Sequence, residues 1–516
     1  MSRTDEPDAP RAGQSEDADT GGAGSEEQVT AAGRHGLQEL IAERRAKAGR
    51  LRETAAEGDF PYAYAGVEPI EQVRAAYEQL VAGEETEDMH RVAGRLTGKR
   101  GGGRAAFLDL VDRGGKIQLH ARLDVLGKET FERLRSLDLG DLVGVDGAVL
   151  RSRHGELTLR VERFAVLAKA LRPPPDKHHG LTDVETRHRQ RELDLISSED
   201  VRRRFRDRAR IIAAVRAYLD GEGFLEVETP VLQPIYGGAL ARPFTTHHNA
   251  LDRTLYLRIA TELYLKRCIV GGLERVYELG KDFRNEGIST KHNPEFTMVE
   301  WYEAYADYEV AAARLEALVR AAAQAVGADH GIDFAGPWRR VGFVEAVRET
   351  TGVDVLEHPD AAALAAAVAA RGLPAPAPDA TWPQIADELL SSYVEPELRE
   401  PTFVFDYPTA LSPFARAHRS RPGLAERWEA FVGGMEIANA FSELTDPDEQ
   451  RERFASQSRL AAQGDEETQP HDELFLQSLE LGMPPTGGVG VGLDRLVMAL
   501  IGQSSIREVV LFPAMR

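Results

Sequence analysis

In this 516-residue chain, two arginines and a set of glutamates have the types and spacing to handle charged oxygens. The stretch 276–308 begins with β-branched, aromatic and polar residues from Val276 to Phe283. A loop follows from Arg284 to Glu295, rich in turn residues such as Asn285, Gly287, Ser289, Asn293 and Pro294, and apolar character returns at Phe296, Met298 and Val299. The pattern predicts a strand, a polar loop and a second strand running into a helix. Arg284 closes the first strand, where its rigid guanidinium fork can grip phosphate or carboxylate oxygens. Glu286 and His292 can hold polyphosphate and ring edges, and Phe296 offers a flat face to a nucleobase. The residues alone also allow a surface hairpin carrying a salt bridge.

A second constellation lies at 427–450. Gly433-Gly434 between two apolar runs reads as a two-residue hairpin. In that register Val432 faces Met435, Phe431 faces Glu436, and Glu429 faces Ala438, so Glu429 and Glu436 become diagonal neighbours on one face. Close carboxylates repel unless a cation stands between them, and a divalent ion bridging phosphates would serve. The alternative is that both face water. Simple alternation puts Asn439, Phe441 and Glu443 on the face opposite Glu436, so a shared pocket requires a bulge or twist. Farther on, GVGVG at 488–492 enters a helix near Arg495, where helix dipole and guanidinium together favour an anion. The GxGxxG spacing is not met there.

The run FRNEGISTKHNPEFTMVEWYEAYADY, 283–308, closely resembles motif 2 of the class II aminoacyl-tRNA synthetases in its lysyl-tRNA synthetase form. The helix, strand and Pro230 after Ser198 resemble motif 1, and 482–502 resembles motif 3. The resemblance spans about 36–516 and implies an α+β protein: a five-stranded OB-fold barrel that binds the anticodon, then an antiparallel sheet flanked by helices. It implies ATP, L-lysine and tRNA(Lys) as partners, Mg2+ as cofactor, and a homodimer through motif 1. Arg284 and Arg495 become the catalytic residues, at the α- and γ-phosphate. Glu286, His292, Phe296 and Glu429 join them around ATP, with Phe296 under adenine, and Glu429 and Glu436 hold the metal. L-lysine falls to Gly237, Glu262, Glu300, Tyr302, Asn439, Phe441 and Glu443, with Glu262 at the α-amino group and Glu443 and Tyr302 at the ε-ammonium. Phe107, Gln118 and Glu156 match the anticodon readers. Two departures stand out: Thr261 where the family usually has Pro, and Ala440 where bacterial members often have Gly.

These residues need domains to position them. The length predicts two or three. Hydrophobic content of 42% and charged content of 28% are ordinary for soluble globular chains. No apolar run is long enough to span a bilayer and no signal peptide is evident, which predicts a cytoplasmic protein without a membrane partner. The single Cys268 excludes a disulfide framework and a cysteine zinc site, suits the cytosol, and reads as a small buried residue.

Residues 1–33 hold eight acids against Arg3 and Arg11, −6 of the total −21, and read as a disordered acidic tail. Helices follow within 34–88, at about 36–56 and 69–83. From 89 to 172 the period becomes alternating: five short strands, with a helix at about 128–137 between the third and fourth, give the order of an OB-fold, which commonly binds single-stranded nucleic acid. Between Arg91 and Arg160, fourteen Lys and Arg against nine Asp and Glu give +5, a basic island on an acidic chain. A linker spans 173–198, opened by the Pro-rich stretch 171–180 and followed within it by a basic helical stretch at 185–194. The catalytic domain covers 199–516, with a helical insert at about 309–400. Two rival functions remain: a lysine ligase acting on a protein or small molecule, and a catalytically silent RNA-binding paralogue. The OB segment argues against the first, and the intact Arg284, Glu286, Arg495 and glutamates against the second.

Overall fold

The computed structural model describes residues 31–54, 59–175, 181–462 and 469–515. The expected acidic tail lies outside them up to residue 30, and a helix already runs Ala31–Glu53. Two compact units divide the chain, 1–178 and 179–516.

In the first unit, β1 (Glu85–Gly102), β2 (Ala105–Asp112), β3 (Gly115–Arg122), β4 (Leu142–Arg151) and β5 (Leu157–Ala168) close a barrel in the order β1-β2-β3-β5-β4. Only β3 and β5 pair in parallel. Alternate residues point inward, so Leu108, Leu110, Ile117, Leu119, Val145 and Leu159 fill the barrel. The helix between β3 and β4 spans Leu123–Arg135 and sends Phe131 and Leu134 into that core. It starts earlier than the sequence predicts because Gly127 breaks it at φ 74, hiding its first turn from the helical period. The helix expected at 69–83 covers only Ile70–Ala76, and β1 begins at Glu85 rather than Met89, paired with Leu150.

The second unit is built on an eight-stranded sheet, with a separate three-stranded sheet beside it. Its strands are β6 (Leu225–Glu226), β7 (Leu232–Gln233), β8 (Thr245–His248), β9 (Arg253–Leu257), β10 (Arg275–Phe283), β11 (Glu295–Ala304), β12 (Arg339–Gly342), β13 (Thr402–Pro408), β14 (Leu424–Phe431), β15 (Glu436–Ser442) and β16 (Thr486–Gly492). The large sheet runs β12-β13-β14-β15-β16-β11-β10-β6, and the small one β7-β9-β8. The central strands are antiparallel, as expected. Both edges, β12 on β13 and β6 on β10, are parallel, because each pair is joined by a helical crossover rather than a hairpin. FLEVETPVL yields only the two-residue strands β6 and β7, since Pro230 has no N–H for a ladder.

One face of the large sheet is covered by the helices Glu199–Gly221, Tyr308–Val326 and Leu493–Leu500. Ser198 caps the first, accepting the Val201 N–H at 3.3 Å. Ile211, Val215, Leu219, Leu315 and Val319 pack there against Trp301, Trp428, Val489 and Val491. The 309–400 region is therefore not all insertion: helix Tyr308–Val326 belongs to the main core and β12 extends the sheet. Only the helices Phe343–Thr351, Ala361–Ala370 and Trp382–Leu389 form their own cluster, against Val404 and Tyr407 of β13.

Candidate active site

Alternation along β11 divides its side chains between two jobs. Val299 and Trp301 enter the helix-covered core, while Phe296, Met298, Glu300 and Tyr302 line a cavity of about 540 Å³ on the other face. Arg284, Glu286 and His292 reach the same cavity from the β10–β11 loop, and Arg495 from the first turn of helix Leu493–Leu500. Asp494 fixes that helix against the sheet by accepting the Thr297 N–H at 2.8 Å and pairing with Arg208 at 2.6 Å.

The two arginines are held differently. The Arg284 guanidinium lies 5.1 Å over the Phe296 ring, and its Nε donates to the Ile259 carbonyl at 3.3 Å. Arg495 Nη1 donates to Glu436 Oε2 at 2.9 Å and to the Glu436 carbonyl at 3.1 Å. Its Nη2 stands 3.0 Å from His292 Nε2. A guanidinium only donates, so His292 Nε2 accepts and the ring proton sits on Nδ1, 2.8 Å from Ser289 Oγ. Burial, and then the Arg495 charge, hold the His292 pKa below the usual range, in keeping with a neutral ring.

The β14–β15 hairpin turns at Gly433 and Gly434, both at positive φ, 64 and 72. Phe431 pairs with Glu436 as the sequence predicts, but Glu429 faces Asn439 rather than Ala438. A bulge at Ile437 causes the shift, and it brings Glu436, Asn439 and Phe441 onto one face, where all three line the cavity. Glu429 lines it too. Its carboxylate accepts from Arg427 Nη2 at 2.5 Å and from the Tyr407 hydroxyl at 2.7 Å. Burial pushes the Glu429 pKa up to about 7, with Glu436 and Asp387 adding to the rise and Arg427 opposing it. A divalent cation fits this donor set: it would relieve the repulsion between Glu429 and Glu436. Among the described residues no group of three or more His, Cys, Asp or Glu is placed to hold a metal. Two carboxylates with substrate phosphates and water is the usual arrangement for Mg2+.

The set expected to hold L-lysine is only partly on the cavity wall. Glu262, Glu300, Tyr302, Asn439 and Phe441 line it. Gly238 lines it in place of Gly237, whose Cα faces Leu263 and Gln469. Glu443 stands behind Gly488 and Tyr302 with its side chain 0% exposed. Its Oε2 pairs with Lys266 Nζ at 2.5 Å, and its Oε1 has no hydrogen-bond partner among the described residues. Burial pushes Glu443 up to about 8, against the pull of Lys266. Glu300 also rises to about 8, through burial first and then through Asp282 and Glu262. Arg427, Asp387 and Lys266 were not singled out from the sequence. Arg427 and Asp387 sit in segments read as apolar or as insertion, and Lys266 is identifiable only once Glu443 is beside it. Cys268 is half-buried rather than buried.

On the barrel, Phe107 points outward from β2, not into the core. It stacks on His120 of β3 with ring centroids 4.6 Å apart and planes 4° apart. Gln118 is buried beside Thr158, whose hydroxyl lies 3.1 Å from Gln118 Oε1 and 3.1 Å from the Glu156 carbonyl and shares its one proton between these two acceptors. Phe107, Gln118 and Glu156 thus border one outer strip of the barrel.

A family model described as "tRNA synthetases class II (D, K and N)" matches residues 183–516, and one described as "OB-fold nucleic acid binding domain" matches 90–167. The lysine–tRNA ligase of Chloroflexus aurantiacus is 50% identical over 492 residues, 93% of this chain and 99% of its own. That of Moorella thermoacetica is 49% identical over 487 residues, covering 93% and 98%. That of Roseiflexus castenholzii is 50% identical over 490, covering 93% and 99%.

Proposed function

Because the chain belongs to the lysine–tRNA ligase family of class II tRNA synthetases, we propose that its cavity activates L-lysine with ATP and passes it to the 3′ end of tRNA(Lys). The observation that carries this is Arg284, Arg495, Glu429, Glu436 and Glu300 opening onto one cavity. Their separation along the chain leaves a shared ligand as the simplest reason for their meeting.

In the first step the L-lysine carboxylate attacks the α-phosphorus. An O–P bond forms, the bond to the β-phosphate oxygen breaks, and pyrophosphate leaves. Arg284 takes the α-phosphate charge and Arg495 the γ-phosphate, each as a fixed fork. Phe296 holds adenine, with Glu286 and His292 at its edges and phosphates. Mg2+, held by Glu429 and Glu436, would neutralise phosphate charge. In the second step a terminal ribose hydroxyl of the tRNA attacks the activated carbonyl and AMP leaves. Catalysis here is positioning and charge neutralisation, with no covalent enzyme intermediate.

At the other end, Glu262 and Glu300 receive the α-ammonium, with Gly238 on the cavity wall where Gly237 was expected. Glu443 and Tyr302 receive the ε-ammonium past Asn439 and Phe441. A buried acceptor left bare without a long cation rejects neutral analogues strongly. On the barrel, Phe107 stacks an anticodon base while Gln118 and Glu156 read base edges.

The apolar Leu225, Val231 and Leu232 in the segment resembling motif 1, and Leu240 and Leu251 after it, are all exposed, which supports a homodimer through that face. Among the described residues no helix is long and apolar enough to cross a membrane. The substrates and the free Cys268 support a cytoplasmic enzyme. Incubation with labelled L-lysine, ATP and a tRNA(Lys) transcript tests the reading: label on the RNA supports it, whereas label only on protein or small acceptors favours the rival ligase.

A further inference from the structure

Lys266 stands behind the L-lysine subsite with no role assigned above, and its placement is unusual. It lies in the helix Glu262–Val270 with its side chain 0% exposed. Its Nζ is 2.5 Å from Glu262 Oε1 and 2.5 Å from Glu443 Oε2, and 5.0 Å from the centre of the Phe414 ring. A lysine of the protein therefore bridges two of the carboxylates that are to receive a lysine as substrate.

The charges can be counted. Glu262, Glu300 and Glu443 are all buried, and Lys266 is the cation that touches two of them. Glu300 receives the Thr261 N–H at 3.2 Å and the Tyr302 hydroxyl at 3.4 Å. On its far side Asp282 pairs with Arg258 at 3.1 Å, with Glu278 beyond Arg258. With Glu262, Glu300 and Glu443 ionised, three carboxylates less one ammonium leave two negative charges, and Asp282 and Glu278 against Arg258 leave one more behind them; the α- and ε-ammonium groups of L-lysine bring two positive charges while its carboxylate turns to Arg284. Buried charge is tolerated only when paired.

Resting on the reading above, we propose that Lys266 is a positioning residue: its ammonium is a resident third cation that favours the ionised forms of Glu262 and Glu443 and turns Glu443 so that Oε1 faces the ε-ammonium of the substrate. Orientation follows from the contacts. Oε2 lies against the Lys266 ammonium, and Oε1, which like Oε2 has no hydrogen-bond partner among the described residues, lies at Gly488 on the cavity wall. Without the resident ammonium, Glu443 loses the partner opposing its burial. It then holds its proton to higher pH, and L-lysine must expel that proton to bind.

The test is lysine-dependent ATP–pyrophosphate exchange from about pH 6 to about 9 on the full-length wild type, Lys266→Met, Lys266→Arg and the double variant Lys266→Met/Glu262→Gln. For Lys266→Met the expected result is a rise in the L-lysine KM of about tenfold or more near neutral pH, and an upward move of its pH midpoint by about one unit or more. The KM for ATP should hold, and Lys266→Arg should return the midpoint toward wild type. The double variant removes the buried pair as a unit, so it remains readable if the single one does not fold, and its midpoint should also move upward. A midpoint left at the wild-type value in a folded variant overturns the proposal, as does a parallel rise in both KM values. A wild type without lysine-dependent exchange overturns the functional reading along with it, and that outcome is distinguishable from the others.

Discussion

Thr261 donates its backbone N–H to Glu300 Oε1 across 3.2 Å. A proline at this position has no N–H to give. The Thr261 N–H is thus a donor to a buried carboxylate that proline would remove. Replacing Thr261 with Pro should raise the L-lysine KM about threefold to tenfold, the usual worth of one such hydrogen bond. Thr261→Ser keeps the N–H and should match wild type. Steady-state exchange kinetics check both, and a proline variant indistinguishable from the serine one would contradict the assignment.

Gly488 sets how closely Glu443 can approach the cavity. A Cβ built there would stand 2.0 Å from Glu443 Oε1 and 2.4 Å from Tyr302 Cε1. Overpacking of this kind costs about 1–3 kcal/mol, so Gly488→Ala should raise the L-lysine KM about tenfold to a hundredfold. Titration calorimetry with ATP should still show binding. Unchanged L-lysine kinetics would mean that Glu443 does not hold the substrate.

Acid conditions should weaken L-lysine binding. Glu443 and Glu300 are each raised to about 8, by burial first. A raised value means the proton is kept below about pH 8 and released above it, while the substrate ammonium pairs only with the ionised form. The L-lysine KM should accordingly fall as pH rises from about 6 to about 8, by at most about tenfold per unit for each proton expelled. A flat or rising KM across that window would remove these two carboxylates from the substrate's ammonium groups.

The barrel should matter to RNA and not to adenylate formation. Phe107→Ala removes the outer ring of the Phe107–His120 stack, and loss of one base-stacking aromatic costs about 1–3 kcal/mol. Charging at limiting tRNA should fall about tenfold or more, while exchange stays at the wild-type rate. Equal loss of both would contradict the division of labour.

Much of this was legible before any coordinates. Strands leave a period of two, so the β10–β11 arm carrying Arg284 and Phe296 and the Gly433-Gly434 turn could be placed from local pattern. Phe431 opposite Glu436 came out as read. What local pattern could not supply was the extra residue at Ile437, because a bulge is decided by what the strand must pack against. That one residue moved Glu429 from Ala438 to Asn439 and put Asn439 and Phe441 on the same face as Glu436. Lys266 is the same lesson at longer range: in sequence it is one more charge on a short helix, and only folding brings Glu443 to it. In sequence, helix Tyr308–Val326 reads as insertion because its Ala-rich face gives no hint of which sheet it covers.

The central claim is that one cavity joins a dibasic amino acid to a nucleotide through Arg284, Arg495 and the buried acids. ATP–pyrophosphate exchange over a panel of L-lysine, L-arginine, L-methionine and L-norleucine tests it most directly. L-lysine alone should drive pyrophosphate into ATP, and Arg284→Ala should abolish that signal. Exchange with L-norleucine equal to that with L-lysine, or near wild-type exchange in Arg284→Ala, would contradict it.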